Sequence, residues 1–216
     1  MKFEFVGGQL ALDFVNTASR RDTGPLHERL KTYGDLVEWA AQARALPDTV
    51  PEELRKAAEQ HPQSAQTVLE EARALREALY RIFRAYSAGN SIHAASSEDM
   101  ALLNSVFRRG NEHRTLCCKR VISTNNNGAP SFDWTWDECG AELDRVLWPV
   151  ALAAADLVTS GDPQRIKECG GDNCNWLFLD QSKNRSRRWC TMEDCGSKVK
   201  SKRHYDRQKE TAHVAD

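Results

Sequence analysis

Residues 169–195 read CGGDNCNWLFLDQSKNRSRRWCTMEDC, and the four cysteines in that stretch decide how the C-terminal part of the chain folds. Their spacing is Cys169-x4-Cys174-x15-Cys190-x4-Cys195, two short-spaced pairs with a longer gap between them. That arithmetic matches a structural zinc site, where four thiolates surround Zn²⁺ tetrahedrally and leave no position open for water. Gly170-Gly171 permits a tight knuckle between the first two ligands. Trp176–Leu179 reads as a strand, Lys183-Asn184-Arg185-Ser186 as a turn, and Arg188-Trp189 as the return strand. Thr191-x-x-Asp194 resembles a capping box, which predicts a helix starting between the last two ligands. Knuckle, hairpin and helix in that order make a treble clef. Core thiols or two disulfides are the plainer alternatives, but a segment of about 45 residues rarely buries enough core to fold without a staple. The expected cofactor is one structural Zn²⁺ held by Cys169, Cys174, Cys190 and Cys195. A catalytic zinc would use three ligands rich in His and keep one position open. Cys117, Cys118 and Cys139 read as small apolar filler, with redox sensing as the alternative.

Charge separates the same region from the rest. The 216 residues carry a net charge of −1, which taken whole argues against a nucleic-acid binder. Residues 183–209 alone carry +7, residues 1–182 carry −6 and the last seven −2. An acidic body therefore bears a basic C-terminal segment, and such asymmetry points to a polyanionic partner. The candidate DNA contacts are Lys183, Arg185, Arg187 and Arg188 on the hairpin, then Lys198, Lys200, Lys202, Arg203 and Arg207 on the final helix. Such a surface suits phosphates first, through charge and counterion release. A solvated, solubilising helix is the plainer alternative. Four thiolates and one Zn²⁺ together carry −2, so the positive field sits on the hairpin and the distal helix.

Working back toward the N-terminus, Gly161-Asp162-Pro163 is the strongest break. It divides the chain into 1–161 and 162–216. Residues 3–14 (FEFVGGQLALDF) alternate partly and read as two short strands around Gly7-Gly8. Helical spacing marks 33–46, a start at Pro51-Glu52-Glu53, a long helix over about 64–88, another from Ser96/Ser97 closed by Gly110-Asn111, and 139–159. Residues 115–124 and 131–136 read as a hairpin about Asn125–Gly128. The fold class is α+β, a mixed helix and antiparallel-strand domain followed by a small treble-clef zinc finger. Asp13, Asn16 and Thr17 are candidate ligand-binding residues, because they are polar groups following an apolar strand; capping a turn is the plainer role. Arg20 and Arg21 read as a solvated loop.

Two motifs resemble known families. The pattern Cys169…Cys174-x-Trp176…Asp180…Lys183-Asn184-x4-Trp189-Cys190-x-Met192-x2-Cys195-Gly196 resembles the CGNR zinc finger. Gly8-Gln9-x-Ala11-Leu12-Asp13-Phe14-Val15-Asn16-Thr17 resembles the opening of the ABATE domain, which precedes that finger in bacterial stress-induced transcription regulators. The resemblance implies a DNA-binding treble clef and an α+β domain that binds a ligand. One departure matters: the tetrad that names the finger reads Cys195-Gly196-Ser197-Lys198 here. Lysine replaces the fork-shaped guanidinium, which favours phosphate contact over a bidentate base contact.

The resulting expectation is a transcription regulator that binds DNA through the finger and senses a small molecule or stress through residues 1–161. An interaction module that binds protein or RNA through Trp176, Trp189 and Tyr205 is the alternative. No P-loop, GxSxG, GxGxxG or HExxH is present, so an enzyme is not expected. The start lacks a basic n-region leading into an apolar h-region, and no window nears the ~20 apolar residues of a membrane span. The expected location is the cytoplasm, in association with the nucleoid. Reading two half-sites would require a homodimer.

Overall fold

The organising element is a 26-residue helix, α4 (Pro62–Ser87), on which most of the other helices pack. Its buried stripe includes Leu69, Ala72, Leu75, Leu79, Ile82 and Phe83, the i, i+3, i+4 spacing that a helix needs to present one apolar face. The structure is a computed structural model and describes residues 1–22, 24–87, 96–119, 131–136, 142–159, 163–202 and 205.

Around α4 lie α1 (Leu10–Val15), α2 (Tyr33–Gln42), α3 (Val50–Gln60), α5 (Ser97–Glu112) and α6 (Trp148–Thr159), the last preceded by a 3-10 turn at Leu143–Leu147. Helix starts follow local chemistry. Thr32 and Asp35 form a reciprocal capping box on α2, with Thr32 Oγ1 accepting from the Asp35 N–H at 3.1 Å and Asp35 Oδ2 accepting from the Thr32 N–H at 2.8 Å. Pro51 and two glutamates occupy the first turn of α3. Trp39, Trp148, Phe14 and Phe83 are among the largest fully buried side chains of one continuous core.

Two expectations need correcting. The stretch 3–14 does not form two strands: α1 occupies its second half, with Gln9 Oε1 accepting from the Ala11 N–H at 3.0 Å. Ala11, Leu12, Phe14 and Val15 are all fully buried and Asp13 nearly so, so this helix is enclosed on almost every side and shows no amphipathic stripe. Nor does Gly110 close α5, which runs on to Glu112. A Cβ at Gly110 would lie 2.8 Å from Trp148 Cβ, so the glycine allows α5 to touch the start of α6.

The sheets are small antiparallel pairs: β1 (Ala18–Ser19) with β2 (His27–Glu28), β3 (Arg114–Lys119) with β4 (Ser131–Trp136), and β5 (Ile166–Glu168) with β6 (Leu177–Leu179). The expected β3–β4 hairpin is present in the register Leu116↔Trp134; its turn and Cys139 lie outside the described residues. Arg21, read as a solvated loop, instead ties the β1–β2 hairpin to α4. It pairs with Glu77 at 2.8 Å, beside Arg76, which is 1% exposed and bidentate to Glu28 at 2.6 Å. Among the described residues no helix is long and apolar enough to cross a membrane.

Candidate metal centre and nucleic-acid face

The finger is assembled from residues near its cysteines. Strand β5 delivers Cys169, whose N–H donates to the Trp176 carbonyl at 2.8 Å, and β6 pairs with β5 in the register Ile166↔Leu179. The expected partner strand at Arg188-Trp189 is not one. That segment touches the knuckle through a single bond, Gly170 N–H to Arg188 carbonyl at 2.9 Å, and Cys190 N–H donates to Cys169 Sγ at 3.2 Å. Thr191 caps the helix as its sequence suggests, with Oγ1 accepting from the Asp194 N–H at 3.2 Å. The first turn, Met192–Gly196, is a wide i→i+5 turn, and the helix continues through 197–202. Gly171 is required by closeness: a Cβ there would sit 2.9 Å from Cys195 Sγ.

All four sulfurs lie within 4.8 Å of one another. Cys174 and Cys190 Sγ are 3.8 Å apart, and Cys190 and Cys195 Sγ 3.5 Å. A tetrahedral Zn²⁺ with Zn–S near 2.3 Å needs sulfur–sulfur edges of about 3.8 Å, so the quartet fits one ion. The protonation balance agrees. Hydrogen bonds from Cys174 and Cys190 hold the Cys169 thiol low, while Cys174, Cys190 and Cys195 are pushed up. For Cys174 and Cys190 the largest cause is the Cys169 thiolate, and for Cys195 it is burial. Four thiolates can coexist here only around a cation. Zinc would supply that charge and a covalent staple, with no open position.

A buried carboxylate shapes the loop that follows β6. Asp180 is fully buried and accepts from Lys167 Nζ at 2.6 Å, from the Ser182 N–H and hydroxyl, and from the Arg187 N–H. Burial alone would raise its pKa, but these donors outweigh it and hold the carboxyl far below its usual range.

The candidate DNA contacts separate into groups. Lys183, Arg185, Arg188, Lys198, Lys200 and Lys202 are exposed. Lys198 pairs with Asp194 at 2.5 Å and Lys202 with Asp172 at 2.6 Å. Arg187 is turned inward. Its guanidinium donates to the carbonyls of Trp189, Val6 and Cys190 and lies 4.2 Å over the Phe178 ring. Arg203 and Arg207 lie outside the described residues.

The candidate ligand residues are packed where the body meets the finger. Asn16, 2% exposed, uses its whole amide on one residue of β6: Oδ1 accepts from the Leu177 N–H and Nδ2 donates to the Leu177 carbonyl, both at 2.8 Å. The Gly7 carbonyl accepts from the Leu179 N–H at 2.8 Å on the same strand. Body residues thus fill the edge of β6 that β5 leaves open, as a third strand would. Asp13 Oδ1 holds the Gly7 N–H at 2.7 Å; burial pushes its pKa up to about 6 although hydrogen bonds from Gly7 and Val6 oppose this. Thr17 Oγ1 donates to the Phe14 carbonyl at 2.7 Å. Ile166 and Leu177 of the finger belong to the body's core. Sequence reasoning missed the roles of Asp180, Lys167, Arg187 and Leu177; only the polar run Asp13-x-x-Asn16-Thr17 after apolar residues hinted at the joint.

The family comparisons bear on this arrangement. Residues 8–161 match ABATE, described as "Putative stress-induced transcription regulator". The chain belongs to the ABATE family. Residues 165–208 match the CGNR zinc finger, whose four cysteines are the quartet described above. Neither family is an enzyme family. A search of curated proteins finds no match.

Proposed function

We propose that this ABATE protein is a DNA-binding transcription regulator in which a zinc-stapled finger meets DNA and the N-terminal body senses a small molecule or stress signal. The observation that carries the reading is the exposed cationic ridge of the finger. Lys183, Arg185 and Arg188 lie exposed on the loop after β6 and Lys200 on the helix; Lys198 and Lys202 are exposed as well but paired with Asp194 and Asp172. Arg203 and Arg207 are two further cations in the sequence that follows. These side chains suit phosphates, and a rigid helix with few forked guanidinium groups suits backbone contact more than base reading. Arg187 serves the ridge indirectly by fixing the loop that bears its neighbours.

In this reading Asp13, Asn16 and Thr17 act as the joint through which a change in the body reaches the finger. The protein works by binding, not catalysis, and acts at the nucleoid in the cytoplasm. The alternative of a protein- or RNA-binding aromatic surface gains little support, since Trp176 and Trp189 pack beside the cysteine cluster.

The test is a titration of zinc-loaded protein against duplex DNA fragments from a genomic pool. The triple variant Lys183→Ala/Arg185→Ala/Arg188→Ala should lose at least about tenfold in affinity, as three phosphate contacts disappear. Unchanged binding by that variant, or none by the parent, would defeat the proposal.

A further inference from the structure

Among the described residues, the β3–β4 hairpin has an apolar face that nothing covers. Side chains alternate between the faces of a strand, and cross-strand partners share a face. Leu116↔Trp134 and Cys118↔Phe132 therefore lie on one face, with Arg114↔Trp136 at its base, while Thr115↔Thr135 and Cys117↔Asp133 share the other. Such alternation belongs to an antiparallel sheet that packs one side on a core and wets the other. Only the base is anchored in this way: Trp136 packs on the core, its ring 5.6 Å from that of Trp148. Further out, Leu116 is 53% exposed, Phe132 64% and Trp134 53%, with Cys118 exposed beside them.

The size and chemistry of this face select its occupant. A large aromatic carries roughly 150–250 Å², so Leu116, Phe132 and Trp134 together expose on the order of 350–400 Å². A patch of that size on a soluble chain commonly serves as a contact. It is about half of the ~800 Å² per partner in a standard stable interface. Two such faces stacked together bury about 700–800 Å² plus their rims, the scale of weak, reversible complexes. Among the described residues the exposed part of the face carries no charge, and the Arg114 guanidinium at its base lies 4.2 Å over the Trp134 ring. A charged partner finds nothing there to pair with, and two copies bring no like charges together at its centre. The β4 edge is closed in part by its own chain, since Asp133 Oδ1 accepts from the Trp134 N–H at 2.9 Å. Pairing edge to edge would also leave the apolar side bare, so contact runs through the face.

We propose that this hairpin is a homodimer interface, in which two copies of the chain stack their Leu116, Cys118, Phe132 and Trp134 faces about a two-fold axis. A second copy supplies the same flat, uncharged, two-stranded surface, and one contact covers both apolar faces. The inference goes beyond the function proposed above and does not depend on DNA. It has a consequence for that function: a dimer carries two fingers, as reading two half-sites requires.

The experiment is sedimentation velocity of zinc-loaded, full-length protein without DNA, in reducing buffer, over about 1–300 µM. The parent is compared with Phe132→Ser/Trp134→Ser, with Leu116→Lys and with the control Leu26→Ser. Leu26 is 45% exposed and lies just before β2. All the altered side chains are exposed, so each variant should fold, as zinc content and circular dichroism can verify. The parent should dimerise with a dissociation constant of about 1–100 µM. Both face variants should weaken dimerisation at least about tenfold, the first by removing the apolar contact and Leu116→Lys by burying an ammonium group in it. Leu26→Ser should leave it unchanged. A parent still monomeric at about 300 µM, face variants that dimerise as the parent does, or an equal loss in the control would overturn the proposal. A monomeric parent that instead forms a complex with a different protein through this face would also overturn it. Failure of the parent to bind DNA would defeat the regulator reading and leave the dimer result standing.

Discussion

Replacing Asn16 with alanine tests the joint between body and finger. The amide makes two 2.8 Å hydrogen bonds to one residue, Leu177, whose side chain is fully buried. Asn16 itself is 2% exposed, so water cannot take its place without opening the joint. Removing it leaves a buried N–H and a buried carbonyl without partners. Each costs about 1–3 kcal/mol, so the variant should lose about 2–6 kcal/mol. Against the ~5–15 kcal/mol typical of a whole domain, that is a large fraction. Asn16→Asp should also destabilise, because a carboxylate can accept from the Leu177 N–H but faces the Leu177 carbonyl with a second acceptor. The assay is urea unfolding of the zinc-loaded chain at pH 7, with Arg20→Ala as an exposed control expected to lie within about 0.5 kcal/mol of the parent. Hydrogen exchange should place the extra opening in 177–179. A loss below about 0.5 kcal/mol for Asn16→Ala would refute the reasoning, since a clamp on a buried strand edge cannot be that cheap to remove.

Further outcomes follow from the same geometry. The Asp13 pKa is raised from 3.8 to about 6 in the folded state, so its contribution is fully present below about pH 4 and is lost as pH rises toward 6. Asn keeps an acceptor for Gly7 without the charge, so Asp13→Asn should gain about 3 kcal/mol relative to the parent between pH 4 and pH 7 in urea unfolding. No pH dependence in that difference would contradict it. Gly110→Ala should cost about 1–3 kcal/mol, because the added methyl would meet Trp148 Cβ at 2.8 Å; a neutral or raised melting temperature would show that α5 and α6 can part. Metal analysis should find one zinc per chain, and Cys169→Ser or Cys190→Ser should lose it; a parent chain that folds metal-free would argue against the staple.

Much of this was legible before the structure. The cysteine quartet could be read because zinc ligation demands a residue type and a spacing, and both are local. The long helix α4 showed because its stripe repeats over seven turns and faces one core. What escaped was non-local. Alternating residues in 3–14 suggested strands, but a helix buried all round carries no periodic stripe to distinguish it. Strand β5 is three residues long, and its pairing with β6 leaves the Arg188-Trp189 segment outside the sheet. Arg187 is indistinguishable by type from Arg188, yet one donates to three carbonyls and the other faces solvent. Asn16 meets a partner 161 positions away, and nothing local announces that.

The central claim is that the finger's cationic ridge binds DNA through phosphates. Its most direct measurement is the affinity of the zinc-loaded chain for duplex DNA as salt is varied. Each neutralised phosphate contributes about −0.9 to the slope of log K against log salt. Lys183, Arg185, Arg188 and Lys200, which make no ion pair among the described residues, should give a slope near −3.5, approaching −5 if Lys198 and Lys202 leave their acids for the duplex. A slope shallower than about −1, or no binding at low salt, would contradict it.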